Sequence, residues 1–242
     1  MPSRMALALK ERLYRDQIGG TPLFRELITD RLRADSRILD LGCGKGREGA
    51  DFRSAAALVV GCDIGEEVRD NIFVSTSVRG DAQMLPFRDG SFDAVIMDYV
   101  VEHLEYPDRC ARETFRVLRR GGHLFLRTPN LYHYVSIIGY LTPHALHQLV
   151  ANRVRGLAAD AAVFKTFHRA NTRRALEREF GQAGFVPEQI RLVEREPSYL
   201  MFSSAAFFIG YCYERLVNRF EFLATFRSNI FGVLEKPSSR AS

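Results

Sequence analysis

Short apolar runs alternate with segments of helical period through the middle of the chain. Residues 37–41, 57–62, 94–97 and 123–127 read as strands. Between the last two, Asp108 is placed to cap a helix whose Ala111, Phe115 and Leu118 share one face, and Gly121-Gly122 is expected to end it. Strands alternating with helices predict a parallel sheet wound on both faces. After Asn130 the pattern loosens, and 132–167 reads as an irregular helical insertion broken at Pro143 and Gly156. Order returns at Asn171-Thr172, which can cap a helix carrying Leu176, Phe180 and Ala183, closed by Gly184. A strand over 185–194 and a last one over 230–234 follow. Residues 199–213 carry no charge but fall short of the ~20 residues a bilayer span needs. In that region Ile209, Cys212, Leu216, Phe220 and Leu223 form one helical stripe, with Glu214, Asn218 and Glu221 opposite.

With 242 residues, 46% of them hydrophobic, the chain can build one sizeable core. Charged residues interrupt the first fifteen positions, so no signal peptide is expected and a cytoplasmic location is. Cys43, Cys62, Cys110 and Cys212 are scattered without ligand spacing, which argues against a disulfide framework or a zinc site. The net charge of +5 is almost all arginine spread along the chain, so it forms no basic stripe and no nucleic-acid partner is expected.

The most informative residues are 37–47, Arg-Ile-Leu-Asp-Leu-Gly-Cys-Gly-Lys-Gly-Arg, a strand running into glycines and then a helix. Such a turn lets the backbone approach a polar ligand, and a helix start adds free N–H groups. Alone it is a weak signal, because Gly44, Gly46 and Gly49 also fit the dinucleotide spacing. Asp63, at the tip of the next strand, can accept the two ribose hydroxyls of an adenosine in either case.

Three further segments separate the two. The turn, Asp63, Gly80-Asp-Ala-Gln-Met-Leu-Pro-Phe87, Ser91-Phe-Asp-Ala-Val95 and Arg119-Arg-Gly-Gly-His-Leu-Phe-Leu-Arg-Thr-Pro-Asn130 together resemble the class I S-adenosylmethionine-dependent methyltransferases over about a hundred residues. The resemblance implies an α/β, Rossmann-like, doubly wound fold with a mostly parallel seven-stranded sheet, an antiparallel last strand and a helical lid. It implies a cofactor-binding core at 37–130, preceded by a helical segment at 1–36. The lid would occupy 131–170, the rest of the same domain 171–236 and a tail 237–242. By the same resemblance, Gly42, Gly44 and Gly46 line the methionine end of S-adenosyl-L-methionine, with Asp40 and Cys43 beside them. Asp63 and Ile64 take the ribose, Asp81, Ala82 and Gln83 the adenine edge, and Asp98 and Tyr99 the methyl end.

Methyl transfer is a displacement at carbon in which the protein chiefly orients the acceptor and excludes water. A base is needed only when the acceptor must lose a proton, and His103, His133 and His168 are the candidates. Lys165, His168, Arg169 and Asn171 make a dense polar patch that is either functional or a loop before a capped helix. The ubiquinone-pathway O-methyltransferases carry an acid three residues before Glu102, where this chain has Tyr99, so no metal site is expected. Asp98-Tyr99-Val100-Val101 also departs from the Asn/Asp-Pro-Pro-aromatic segment of base N-methyltransferases. The aromatic richness of 131–167 and 204–225 suits a small-molecule or lipid-linked substrate. It equally suits an added core layer, a peripheral membrane contact or a homodimer face. A nicotinamide oxidoreductase and a non-catalytic cofactor-binding subunit are the competing readings.

Overall fold

The computed structural model describes residues 2–15, 17–141 and 165–238. The chain divides into two compact units: Thr21–Thr128, Thr166–Arg191 and Ile230–Ser242 form one, and Met1–Gly20, Pro129–Lys165 and Leu192–Asn229 the other.

A seven-stranded sheet runs through the first unit: β1 (Arg37–Leu41), β2 (Leu58–Asp63), β3 (Thr76–Arg79), β4 (Phe92–Asp98), β5 (Leu118–Pro129), β6 (Val186–Val193) and β7 (Asn229–Glu235). Its order is β3-β2-β1-β4-β5-β7-β6, parallel through the first five and antiparallel at the last. The central strands bury Ile38, Leu39, Val95, Ile96, Met97, Leu124, Phe125 and Leu126, as expected of strands covered on both faces. The chain builds outward from β1 to β3, then returns to place β4 on the other side of β1. That reversal opens a crevice at the strands' carboxyl ends, where ligands of such sheets bind. The three strand tips there carry Gly42, Asp63 and Asp98.

Three local expectations are corrected. The glycine turn leads into a single 3-10 turn, Glu48–Ala50, not an α-helix. Helix α3 (Pro107–Val117) starts at a proline with Tyr106 in the capping position, while Asp108 pairs with Arg112. It ends at Val117, before Gly121-Gly122, which lies inside β5, where Gly121 donates to Lys236 O just past β7. Thr172 does cap α5 (Arg173–Gln182), accepting from Ala175 N at 3.2 Å.

The second unit holds α1 (Arg4–Leu13), α4 (Tyr134–Leu141) and α6 (Ser204–Arg219), while α2 (Gly20–Thr29) begins at the junction. Ala6 and Tyr14 pack on Met201 and Phe207. Ile209, Cys212, Leu216 and Phe220 share a side of α6, and that side faces solvent. The helix instead buries Phe207, Gly210, Val217 and the acid Glu214. Burying that carboxylate is tolerable because Tyr14 Oη and Asn218 Nδ2 donate to it at 3.1 and 2.7 Å. Most of the expected 131–170 insertion, including Pro143 and Gly156, lies outside the described residues.

Candidate functional site

The turn after β1 is held by backbone geometry that only glycine adopts without strain. Gly42, Gly44 and Gly46 all have positive φ. A Cβ on Gly42 would collide with Val100, and one on Gly46 with the Asn71 amide. Asn71 is itself buried and donates to Gly44 O at 3.3 Å. At Gly44, by contrast, a Cβ would meet nothing within 4 Å, so this residue borders open space. Burial pushes the Cys43 thiol up to about 12, so it stays protonated and is no nucleophile at neutral pH.

Asp63 closes the turn from the side. One oxygen accepts from Gly44 N and the other from Gly65 N, both at 2.8 Å. Each oxygen keeps a lone pair for another donor, so the carboxylate is oriented yet still able to take a diol. Asp81 accepts from Gln83 N at 2.8 Å and Gln83 Nε2 at 3.2 Å, forming a turn that fixes the Gln83 amide. The far end of that amide, Oε1, is buried with no hydrogen-bond partner. An acceptor in that state calls for a donor, and the exocyclic amine of adenine is one.

Asp40 lies at the base of the turn, 5% exposed. Burial raises its carboxyl to about 7, against the pull of Arg47 and with Asp63 pushing the same way as burial.

At the tip of β4, Asp98 is gripped by a residue that sequence reading missed. Arg127, in register with it on β5, donates Nε and Nη2 to the two Asp98 oxygens at 2.5 and 2.6 Å. Arg127 is 3% exposed, donates to Thr21 Oγ1, and sits over the rings of Phe24, Tyr99 and Phe231. Arg47 from the glycine turn also contacts Asp98. Tyr99 has φ 61°, and its N–H donates to Arg127 O at 2.8 Å, so the same arginine sets the backbone that follows. The signal was an arginine within Leu-Phe-Leu-Arg-Thr, where β5 is otherwise apolar.

The histidines separate. His103 ends the short turn Val101–His103, and the carbonyl of Glu102 accepts from Phe167 N and His168 N at 2.8 and 3.2 Å. Below them Glu102 Oε2 accepts from Thr128, whose hydroxyl accepts from Asn171 at 2.6 Å. The His103 and His168 segments are thus brought together through Glu102, and His168 adopts φ 52°. Asn171, part of the polar patch, is committed to this buried chain. His133 belongs to the other unit, buried with Nε2 3.5 Å from Glu194 Oε2. Burial pushes His133 down to about 4 and Glu194 up to about 7. Both shifts favour a neutral pair, in which a proton on Glu194 can be donated to Nε2.

The family profile described as a methyltransferase domain matches residues 39–126, which span β1 through β5 and hold every strand tip above. Over these residues the chain is similar to methyltransferase domains. The chain is 33% identical over 145 residues to a demethylmenaquinone methyltransferase of Beutenbergia cavernae, covering 53% of this chain and 59% of that protein. The chain therefore spans little more than half the length of that relative. Among solved structures, a SAM-dependent methyltransferase from Methanosarcina mazei superposes with a TM-score of 0.57 at 22% identity, over 88% of this chain and 98% of that one. The [4+2]-cyclase SpnF superposes with a TM-score of 0.58 at 20% identity, over 90% and 82%. These two likenesses concern the fold alone.

Proposed function

We propose that this chain methylates a small-molecule or lipid-linked acceptor, by O-methylation, in a cytoplasmic location. The supporting observations are open space at Gly44, an Asp63 carboxylate oriented from two sides, and a buried Gln83 Oε1 with no hydrogen-bond partner. S-adenosyl-L-methionine, when bound, supplies an electrophilic methyl group on a sulfonium. Gly42, Gly44 and Gly46, with Asp40 and Cys43, would hold its amino-acid end. Asp63 and Ile64 would hold the ribose, and Asp81, Ala82 and Gln83 the adenine. Asp98 and Tyr99, fixed by Arg127, would border the methyl group.

For an acceptor hydroxyl, His103 and His168 are the groups we assign to proton removal, because their segments meet at Glu102. His133 is the weakest of the three candidates, since a neutral imidazole buried against Glu194 has little capacity to take a proton. The demethylmenaquinone methyltransferase relative supports an apolar acceptor.

Incubation with methyl-labelled cofactor and fractionated extract tests the reading. Label in the organic phase is expected, and label confined to water-soluble products would overturn the lipid-linked part. Cofactor retention with no label transferred to any fraction would favour a non-catalytic cofactor-binding subunit.

A further inference from the structure

The outward side of α6 has no place in the transfer reading. Ile209 is 69% exposed, and Phe208 and Leu216 are each at least half exposed. The spacing of three and four residues through Cys212 puts these side chains on one face. The chain continues with Phe220, Phe222 and Phe226, of which Phe222 is 79% exposed. A cluster of large apolar side chains left in water marks a contact surface.

Charge identifies the occupant. Helix α6 carries Arg215 and Arg219, both exposed, against one acid, Glu214, which is buried. Arg215 lies 3.4 Å from Glu214, while Glu221, just past the helix, is held by Arg227. A surface of fixed negative charge over an apolar layer satisfies both the rings and the arginines. No helix among the described residues is long and apolar enough to cross a membrane.

We propose that α6 and the turn after it lie on an anionic phospholipid bilayer, with Ile209 and Phe222 inserted at the headgroup boundary. This does not depend on the methyl-transfer reading, and its test uses no cofactor. The full chain is sedimented with vesicles of phosphatidylglycerol and phosphatidylcholine, and with phosphatidylcholine alone. Binding is expected to the mixed vesicles and to weaken with salt. Arg219→Gln should weaken it about fivefold, and Ile209→Ser with Phe222→Ser about a hundredfold. These side chains are exposed, and an unchanged circular dichroism melt establishes that each variant folds. Absence of binding to the mixed vesicles, equal binding to neutral ones, or no effect of the Ile209/Phe222 pair would overturn the proposal. So would a lipid-free dimer that the same pair of substitutions dissolves, which would assign the face to a second copy.

Discussion

Arg127 is the side chain on which the tip of β4 depends, and Arg127→Met isolates that role. Methionine keeps the length and the packing against Phe24, Tyr99 and Phe231, while removing both charged hydrogen bonds to Asp98. Breaking one side of a buried ion pair costs about 3–5 kcal/mol, because the partner charge stays behind. Asp98 retains Arg47, which is half exposed, so the lower end, about 3 kcal/mol, applies. For a chain of this size each kcal/mol shifts Tm by about 2–4 °C, which gives a fall of about 6–12 °C. Thermal unfolding followed by circular dichroism measures it. Asp98→Asn should cost a similar amount for the reciprocal reason. The double variant strands no charge, so its loss should be well below the sum of the single losses. A shift under about 2 °C for Arg127→Met, or strict additivity in the double variant, would refute the buried pair as the anchor of this strand tip.

Two further predictions concern pH. Asp40 ionises through about pH 7, and its charge favours a cationic ligand, so affinity for S-adenosylmethionine should rise between pH 6 and 8. The rise is on the order of tenfold, what a full charge ~10 Å away at an effective permittivity of ~20 provides; Asp40→Asn should bind with a flat profile by calorimetry. Glu194 holds its proton to about pH 7 in the folded chain against an ordinary value of 4.5, so stability is fullest below 4.5 and is lost as pH rises to 7. The loss is about 3 kcal/mol, and Glu194→Gln should remove that part of the Tm decline across the window. His133, held neutral, acts with the opposite sign, losing stability as pH falls from 6.5 towards 4.

Much of the sheet could be read from the chain because its buried strands are continuous apolar runs. β3 could not: Thr76-Ser-Val-Arg79 has no such run, as it pairs on the outer flank and is buried at neither end. Gly121-Gly122 looked like a helix stop, yet the antiparallel pairing of β5 with β7 draws both glycines into a strand. The stripe on α6 was real, but periodicity names a face and not its neighbour. The helix buries Phe207, Val217 and a Glu214 satisfied by Tyr14, 200 residues away in sequence, and the stripe faces outward. In the site, the turn formed by the glycines and Asp63 was legible because its positive φ values and hydrogen bonds are local. Arg127 and Asn71 were not, since each acts across strands on a residue distant in sequence.

The central claim is that the crevice at Gly44, Asp63 and Gln83 holds an adenosine-bearing methyl donor. Titration calorimetry with S-adenosylhomocysteine on the wild-type chain and on Asp63→Ala tests it most directly. Saturable binding is expected, weakened about ten- to a hundredfold by the substitution, since charge-assisted hydrogen bonds to the ribose are worth about 1.5–3 kcal/mol. Unchanged affinity in Asp63→Ala, or binding of NAD in preference to S-adenosylhomocysteine, would contradict it.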